Sequence, residues 1–201
     1  MDTPILIFGS GKKARIALEI FQTNNIIVYG LLDEENSPQE NTTYSHVSVL
    51  GDISDKTYHN LLGDQCHPFI AIEDCKKFKA TLAQLAPAKK LFPINAIHPF
   101  TNLSKEAQIA AGNIINAGTT IGPQTHIHNY CTLMGHNRIA HDTTLHDHVY
   151  IGAGTIINEN VTIHEQAHIE SGVVIKENIT IGARVHIPAG TVVTRDIESP
   201  K

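Results

Sequence analysis

The sequence contains no tryptophan, only three cysteines and no long apolar segment among its 201 residues. Because Cys66, Cys75 and Cys131 cannot all pair within one chain and form no CxxC motif, we expect reduced thiols and a cytoplasmic protein. The longest apolar runs, such as residues 5–8, are far too short to cross a membrane. The first four residues carry no basic side chain, which predicts that the chain has no signal peptide.

Clusters of basic side chains are also missing. Lys and Arg number 15 against 20 Asp and Glu, which gives a formal net charge of −5 and a pI of about 6.2. Nucleic-acid binding needs a basic surface, so we expect no nucleic-acid partner. With 41% hydrophobic and 17% charged residues, the composition is that of a folded globular protein.

Residues 1–95 have the pattern of an α/β domain. Short apolar segments predict strands at 5–8, 26–32, 47–52 and 69–72, and a helical period predicts helices at 13–22 and 76–85. Alternating strands and helices indicate a parallel sheet. The length of this region suffices for about half of a dinucleotide-binding fold.

Residues 96–201 follow a different period, with Ile, Leu or Val at every sixth position. There are 17 of these anchors without a break, and 13 of them are isoleucine. The anchors are Ile97, Leu103, Ile109, Ile115, Ile121, Ile127, Leu133, Ile139, Leu145, Ile151, Ile157, Ile163, Ile169, Ile175, Ile181, Ile187 and Val193. The position four residues after each anchor holds mainly small or β-branched residues, as expected for a second inward position in a narrow stacked β-coil.

Three hexads make one triangular coil, so residues 18 apart are expected on successive coils, about 4.8 Å from each other. We expect Gly122, Gly152 and Gly182, which directly follow an anchor, to occupy tight corners. Of the 13 histidines, ten lie from His98 onward, and none of these ten takes an anchor or second inward position.

His141 is the candidate general base. It lies two residues after Ile139 and is expected to point outward, with Asp142 beside it and Glu159 one coil further on. A neighbouring carboxylate fixes the tautomer of an imidazole and raises its basicity, which suits proton removal from an amine or hydroxyl that attacks a thioester.

On these motifs the chain resembles the hexapeptide-repeat acyltransferases, and over its whole length the bacterial sugar acetyltransferases of the PglD/NeuD type. The matching motifs are Gly9-Ser10-Gly11, Leu31-Leu32-Asp33, Leu50-Gly51-Asp52, Ile97-His98-Pro99 and Ile139-Ala140-His141-Asp142. The resemblance implies a half-Rossmann-like α/β domain at 1–95 that binds a nucleotide sugar, and a left-handed parallel β-helix at 96–201. It also implies acetyl-CoA as co-substrate and a homotrimer with active sites between subunits.

The resemblance assigns roles to individual residues as well. His141 is the expected base, and Asp142 is the acid that orients it. Tyr150 stands where the family has a second histidine near the acetyl carbonyl, and its hydroxyl can donate the same hydrogen bond. Backbone groups at four positions are expected to flank the pantetheine and adenine of coenzyme A, unless they are ordinary coil corners. These positions are Ser171, Gly172, Ala189 and Gly190.

The Gly9-Ser10-Gly11 loop follows a predicted strand and opens a predicted helix, with Asp33 further along the chain. Such a loop presents backbone N–H groups to phosphate at a helix N-terminus. Alone it suggests NAD, but the short domain and the acyltransferase-like helix favour the diphosphate and nucleoside of an activated sugar. A simple packing role for the glycines is the alternative. The expected substrate-binding residues are Gly9, Ser10, Gly11, Lys12, Asp33, Glu34 and Gly51.

The expected activity is acetyl transfer from acetyl-CoA to an amino group of a UDP-4-amino sugar in bacterial glycan biosynthesis. We expect direct transfer, because no Cys or Ser stands beside His141 in the hexad pattern. The alternatives are O-acetylation of a sialic-acid-like sugar, a metal-dependent enzyme similar to the γ-class carbonic anhydrases, and a silent trimeric binding module. The metal alternative is based on His128, His146 and His164, spaced by 18. Because their rungs would have to converge on one ion, we expect no metal.

Overall fold

The computed structural model describes residues 3–34, 42–85 and 93–201. The chain divides into two compact units, Met1–Ile94 and Asn95–Lys201. The second unit begins where the hexad repeat begins. No helix in the described ranges is long and apolar enough to span a membrane.

A five-stranded sheet forms the centre of the first unit. Its strands are β1 (Ile5–Phe8), β2 (Val28–Asp33), β3 (Thr43–Tyr44), β4 (Val47–Asp52) and β5 (His67–Ile70), in the order β3-β4-β2-β1-β5. The strands β4, β2, β1 and β5 are parallel, as the alternation of strands and helices predicts. All four residues of β1 are buried, which is typical of a central parallel strand covered on both faces.

Three helices connect these strands: α1 (Lys12–Thr23), α2 (Lys56–His59) and α3 (Cys75–Leu85). The buried residues of α1 include Ala14, Ala17 and Phe21, spaced by three and four along one face of the helix. The ring of Phe21 packs edge-on against Phe69 of β5, with the ring centres 5.1 Å apart. The apolar stripe of α1 therefore fixes the helix, and with it the loop before it, against the sheet.

The first unit differs from its prediction in three details. The short strand β3 pairs antiparallel with β4 through a tight turn, and α2 was not predicted. The turn residues Ser45 and His46 both have positive φ, 45° and 67°, but neither is Gly or Asn, so the usual hairpin signal is missing. The second and fourth predicted strands are shifted by about two residues, within the usual error at element ends.

The second unit consists of 17 two-residue strands in three parallel sheets. The first sheet contains β6 (Ala96–Ile97), β9 (Ile114–Ile115), β12 (Thr132–Leu133), β15 (Tyr150–Ile151), β18 (His168–Ile169) and β21 (His186–Ile187). The second contains β7 (Asn102–Leu103), β10 (Thr120–Ile121), β13 (Arg138–Ile139), β16 (Ile156–Ile157), β19 (Val174–Ile175) and β22 (Val192–Val193). The third contains β8 (Gln108–Ile109), β11 (His126–Ile127), β14 (Thr144–Leu145), β17 (Thr162–Ile163) and β20 (Thr180–Ile181).

Stacked anchors fill the interior of this solenoid. Each anchor up to Ile175 pairs with the anchor 18 residues later, as in Ile121 with Ile139 and Ile139 with Ile157. The anchors from Ile115 to Val193 are all buried, and so are the second inward positions from Asn113 to Val185. Burying one such aliphatic side chain contributes about 1.5–3 kcal/mol, so the repeat itself supplies the driving force for the coil.

The corners of the solenoid use a position that the sequence did not single out. In every hexad from Ile109 to Ile187, the residue three after the anchor has a positive φ, and many of these residues are not glycine. The expected corner glycines Gly122, Gly152 and Gly182 lie where corners begin but do not take this left-handed position, because their φ angles are not positive. A Cβ at each would instead meet the backbone of a neighbouring segment at 2.3–2.8 Å.

Candidate active site

His141 and Asp142 form a hydrogen-bonded pair at the corner between β13 and β14. Nδ1 of His141 lies 2.7 Å from Oδ2 of Asp142, and the two side chains are 54% and 57% exposed. Asp142 takes the left-handed corner position, with φ of 56°. Because Nδ1 donates its proton to the carboxylate, Nε2 of the neutral ring carries the lone pair. Glu159, one coil further on, is exposed, and the carboxylate on His141 is that of Asp142.

The backbone of this corner is held from both sides. The carbonyl of His141 accepts the N–H of Asn160 at 3.2 Å, and the N–H of Asp142 donates to the carbonyl of Pro123 at 3.2 Å. Inside the coil, the hydroxyl of Thr125 donates to the carbonyl of Ala140 at 2.9 Å. The backbone that carries the candidate base is therefore fixed by hydrogen bonds to the coils on both sides, although the His141 ring is exposed.

Tyr150 lies in β15 of the first sheet, whereas His141 stands at the corner between the second and third sheets. In a three-sided coil this corner is opposite the first sheet, so one chain does not bring the two side chains together. The ring of Tyr150 stacks on His168 of the next coil, with ring centres 4.3 Å apart and planes 8° from parallel. The tyrosine is thus held in a fixed orientation on the outer face of its sheet.

The four expected coenzyme A positions are exposed and lie on successive coils, at the corner from the first to the second sheet. Three of their backbone N–H groups already have acceptors. Gly172 donates to the carbonyl of Ala153 at 2.9 Å, and Gly190 donates to that of Ser171 at 3.0 Å. Ala189 donates to the carboxylate of Glu170 at 2.9 Å. These three N–H groups are therefore bonded within the chain and are not available to coenzyme A.

Glu170 is a part of this corner that sequence reasoning missed. Its other carboxylate oxygen lies 2.8 Å from Nε2 of His186. The hydrogen bond from His186, followed by that from the N–H of Ala189, lowers the pKa of the Glu170 carboxyl. No motif marks this contact, because its partners are 16 and 19 residues away on the next coil.

The first unit has a cavity of about 210 Å³ at the carboxyl ends of β1 and β2. Five of the seven predicted substrate-binding residues line it: Gly9, Ser10, Gly11, Asp33 and Glu34. Lys12 and Gly51 are outside the lining. Parallel strands bring their carboxyl ends to one edge of the sheet, which is where α/β proteins commonly bind ligands.

The polar groups of this cavity are mostly acidic. The hydroxyl of Ser10 donates to the carboxylate of Asp33, and Nζ of Lys77 lies 2.6 Å from Oε1 of Glu34. Asp74 accepts the N–H of Lys77 at 2.8 Å, which lowers the pKa of its carboxyl. Sequence reasoning missed Asp74 and Lys77. Asp74 directly precedes α3 and accepts the N–H of Lys77, and an aspartate at the start of a predicted helix is a signal that could have found both residues.

The N-terminus of α1 opens beside this cavity. Gly11 is its N-cap and supplies no side-chain cap, and no acidic residue stands in the first turn. Gly9 has a φ of 114°, and a Cβ there would lie 2.9 Å from the carbonyl oxygen of Ala71. Gly11 thus gives the first turn of α1 no side-chain cap of its own, a feature that suits anion binding at a helix N-terminus.

His128, His146 and His164 stack instead of converging. His146 lies between His128 and His164, with ring centres 4.9 Å away on both sides and planes within 25° of parallel. Burial, followed by the two neighbouring imidazoles, lowers the pKa of His146. In the described ranges no three His, Cys, Asp or Glu side chains come close enough to hold one metal ion.

Comparison with known proteins finds a family model for part of the second unit. Residues 160–195 match the family model "Bacterial transferase hexapeptide (six repeats)". No curated protein sequence is significantly similar to this chain.

Several solved structures have the same fold. A mutant of perosamine N-acetyltransferase from Caulobacter crescentus, in complex with CoA and GDP-perosamine, is 24% identical with a TM-score of 0.86, covering 98% of this chain and 91% of that one. The acetyltransferase domain of PglB from Neisseria gonorrhoeae, in complex with acetyl coenzyme A, is 19% identical with a TM-score of 0.84, covering 98% and 94%. WeeI from Acinetobacter baumannii is 16% identical with a TM-score of 0.70, covering 98% and 97%.

The predicted fold class is confirmed by these matches. The likeness extends over both units and is therefore not limited to the short segment that the family model matches. The chain has the fold of the hexapeptide-repeat sugar acetyltransferases, an α/β unit followed by a left-handed parallel β-helix.

Proposed function

We propose that the protein is a cytoplasmic acetyl-CoA-dependent N-acetyltransferase that acts on an amino group of a nucleotide-activated sugar in bacterial glycan biosynthesis. The observation that carries the proposal is the His141–Asp142 pair, exposed on a rigid corner with Nδ1 bonded to the carboxylate. A neutral imidazole held in this way presents a basic Nε2 to a substrate.

In the proposed reaction the sugar nitrogen attacks the carbonyl carbon of the acetyl thioester, and Nε2 of His141 accepts the proton that the nitrogen loses. A C–N bond forms and the C–S bond breaks. The imidazolium then returns its proton to the departing thiolate, so the products are an amide and free coenzyme A. Asp142 stabilises the imidazolium, and the hydroxyl of Tyr150 is the proposed donor to the oxyanion.

The cavity of the first unit is the proposed site for the nucleotide part of the substrate. The N-terminus of α1 can receive phosphate oxygens, and the carboxylates of Asp33 and Glu34 are suitable acceptors for ribose hydroxyls and base N–H groups. The similar enzyme perosamine N-acetyltransferase is solved with a GDP-sugar. GDP-linked amino sugars therefore belong beside UDP-linked ones among the candidate substrates.

A homotrimer with sites between subunits is part of the proposal. His141 and Tyr150 stand on opposite sides of one coil, so a site that uses both needs His141 from one copy and Tyr150 from the next. In a symmetric ring of three copies, each contact of this kind is repeated three times.

The test is acetyl transfer followed by mass spectrometry. Purified protein is incubated with acetyl-CoA and UDP-, GDP-, dTDP- and CMP-linked sugars, including 4-amino sugars and sialic-acid-like sugars that offer only hydroxyls. We expect an acetylated amino sugar with the wild type and at least about a hundredfold less with His141→Ala. The matched control is His128→Ala, which removes another exposed imidazole from a different corner and is expected to keep full activity.

Asp142→Asn tests the partner of the base. Asparagine tolerates the left-handed corner but holds the imidazole less strongly, so we expect a loss of about tenfold or more in kcat. Equal turnover by His141→Ala would contradict the assignment of the base. Acetylation of the sugars that offer only hydroxyls would mean that the reaction is O-acetylation and not the proposed N-acetylation.

Mixed trimers test the shared site. His141→Ala and Tyr150→Phe, each weakly active alone, are unfolded together, refolded and assayed. If the two residues come from different copies, about a quarter of the sites in a random mixture are intact and activity returns. No recovery in verified mixed trimers would mean that both residues act within one copy, whereas full activity of Tyr150→Phe alone would mean that Tyr150 has no role.

A further inference from the structure

Two glycines lie directly under the two parts of the proposed site. Gly122 follows the anchor Ile121, whose partner on the next coil, Ile139, leads into the His141 corner. Gly152 follows the anchor Ile151, whose partner Ile169 leads into the Ser171 corner. The two glycines occupy the same position of the hexad at different corners of the coil.

At both positions the next coil passes too close for a side chain. A Cβ on Gly122 would lie 2.8 Å from the backbone N of His141 and 3.0 Å from the carbonyl carbon of Ala140. A Cβ on Gly152 would lie 2.4 Å from the backbone N of Ser171. Neither glycine has a positive φ, so alanine fits the backbone conformation and only the contact opposes it.

The solenoid does not require glycine at this hexad position in general. On the same corner as Gly122, other coils carry Asn158 and Lys176, and on the same corner as Gly152 they carry Met134 and Glu170. The close approach is therefore local to the segments that pass over Gly122, Gly152 and Gly182, and two of these segments carry His141 and Ser171.

We infer that Gly122 is a positioning residue for the base His141, and that Gly152 is a positioning residue for the coenzyme A corner at Ser171, each acting on one part of the site. This inference rests on the proposed function. Interiors are packed too densely to absorb such an overlap, so an added Cβ moves the backbone above it by roughly half an ångström. A displacement of that order at a reacting group costs about tenfold in rate.

The chain offers a matched control in Gly182. It occupies the same hexad position, and a Cβ there would lie 2.3 Å from the backbone N of Ser199. Its neighbour is the C-terminal segment, which carries no residue of the proposed site. Gly182→Ala thus imposes the same kind of overlap without touching the base or the coenzyme A corner.

The experiment compares Gly122→Ala, Gly152→Ala and Gly182→Ala in the full-length protein. NMR of the histidine rings reports the His141–Asp142 hydrogen bond, calorimetry measures the binding of free coenzyme A, and steady-state kinetics give kcat and the KM for acetyl-CoA. We expect Gly122→Ala to shift the His141 ring signals and lower kcat about tenfold, with the KM within threefold of wild type. Gly152→Ala is expected to weaken coenzyme A binding and raise that KM about tenfold, with unchanged His141 signals, and Gly182→Ala to change neither.

Other outcomes overturn the inference. If Gly122→Ala leaves the His141 signals unchanged, or if all three variants alter both properties alike, the glycines are only structural. A variant that stays unfolded even in sucrose, which favours compact states, is also evidence for a purely structural role. If the wild type neither binds coenzyme A nor transfers acetyl groups, the proposed function and the role of Gly152 fail, whereas the NMR signals still decide the role of Gly122.

Discussion

The early and late coils of the solenoid fill the same interior position with different chemistry. From 113 to 155 the second inward position is mostly polar and fully buried, whereas from Val161 to Val185 it is entirely apolar. The polar members are Asn113, Thr119, Thr125, Asn137, Thr143 and Thr155. In the described ranges no buried side-chain N or O atom lacks a hydrogen-bond partner.

The difference shows that the same repeat can hold its backbone in place in two ways, by hydrogen bonds from inward side chains or by packing alone. Thr125 and Thr143 donate to the carbonyls of Ala140 and Asn158, which lie on either side of the His141 corner. Directional bonds of this kind fix the backbone of the base, whereas the late coils depend on volume alone. The early half thus holds the proposed base, and the late half carries the proposed coenzyme A corner.

The largest effect is expected from opening a void in the apolar half. Ile179→Ala removes most of a side chain that is 4% exposed, and the void that it leaves is lined by apolar groups. We expect the free energy of unfolding to fall by about 3 kcal/mol, measured by urea denaturation. Val192→Ala, at a position 57% exposed, is the control and is expected to change it by less than about 0.5 kcal/mol.

The next effect comes from removing an acceptor in the polar half. Oδ1 of Asn137 accepts the buried N–H of Thr155 at 3.0 Å. Asn137→Ala leaves this donor without its partner, which is expected to cost about 2 kcal/mol by the same denaturation. Asn158→Ala, near the coil surface, is the control, and an equal loss there would mean that directional bonding does not distinguish the halves.

A smaller effect is expected from Thr143→Val, which keeps the shape of the side chain and removes the hydroxyl. The lost hydrogen bond to Asn158 is worth about 1 kcal/mol of unfolding free energy. Thr143→Ser, which retains the hydroxyl, is expected to keep the His141 ring signals in NMR, whereas Thr143→Val is expected to shift them. Identical spectra for the two variants would show that the hydroxyl does not position the base.

The smallest effect is on the pH dependence of the melting temperature. The pKa of Glu170 is lowered by His186 and Ala189, so its stabilisation is present above the ordinary glutamate value of 4.5 and is lost as pH falls through the folded-state pKa. The pKa of His146 is lowered by burial, His128 and His164, so stability also falls as pH drops below 6.5, because the unfolded chain binds the proton more readily. Asp147 and Glu165 oppose that shift.

We therefore expect His146→Gln to flatten the loss of melting temperature just below pH 6.5, and Glu170→Gln to flatten the loss below pH 4.5. Melting curves recorded from neutral pH down to below pH 4.5 measure both. Parallel curves for a variant and the wild type would contradict the corresponding assignment.

The solenoid could be predicted from the sequence because its core repeats at a fixed period, and 17 anchors leave no other assignment. The contact between His141 and Asp142 could be predicted because they are adjacent in sequence and their positions in the hexad exclude the core. Nothing in the sequence, by contrast, marks the contact of Glu170 with His186, which depends on which rotamers two exposed side chains adopt across coils.

The roles of the glycines could not be assigned for a different reason. Glycine after an anchor looks like a corner residue, but the left-handed position lies two residues later and accepts Gln124, His136 or Arg184 as well as glycine. The left-handed position could have been recognised because no β-branched residue stands three residues after an anchor, and β-branched residues are the least tolerant of positive φ. What the sequence did not contain was how closely the backbone of the next segment approaches each of these glycines.

The left-handed corner has a consequence for transplanting the pair. Because each hexad from Ile109 to Ile187 repeats this backbone, any histidine placed two residues after an anchor and followed by aspartate meets the same local geometry as His141 and Asp142. The pair can therefore be moved to another corner by two adjacent substitutions. Glu159→His combined with Asn160→Asp would install a second histidine–aspartate pair on the next coil of the solenoid, about 4.8 Å from the first pair.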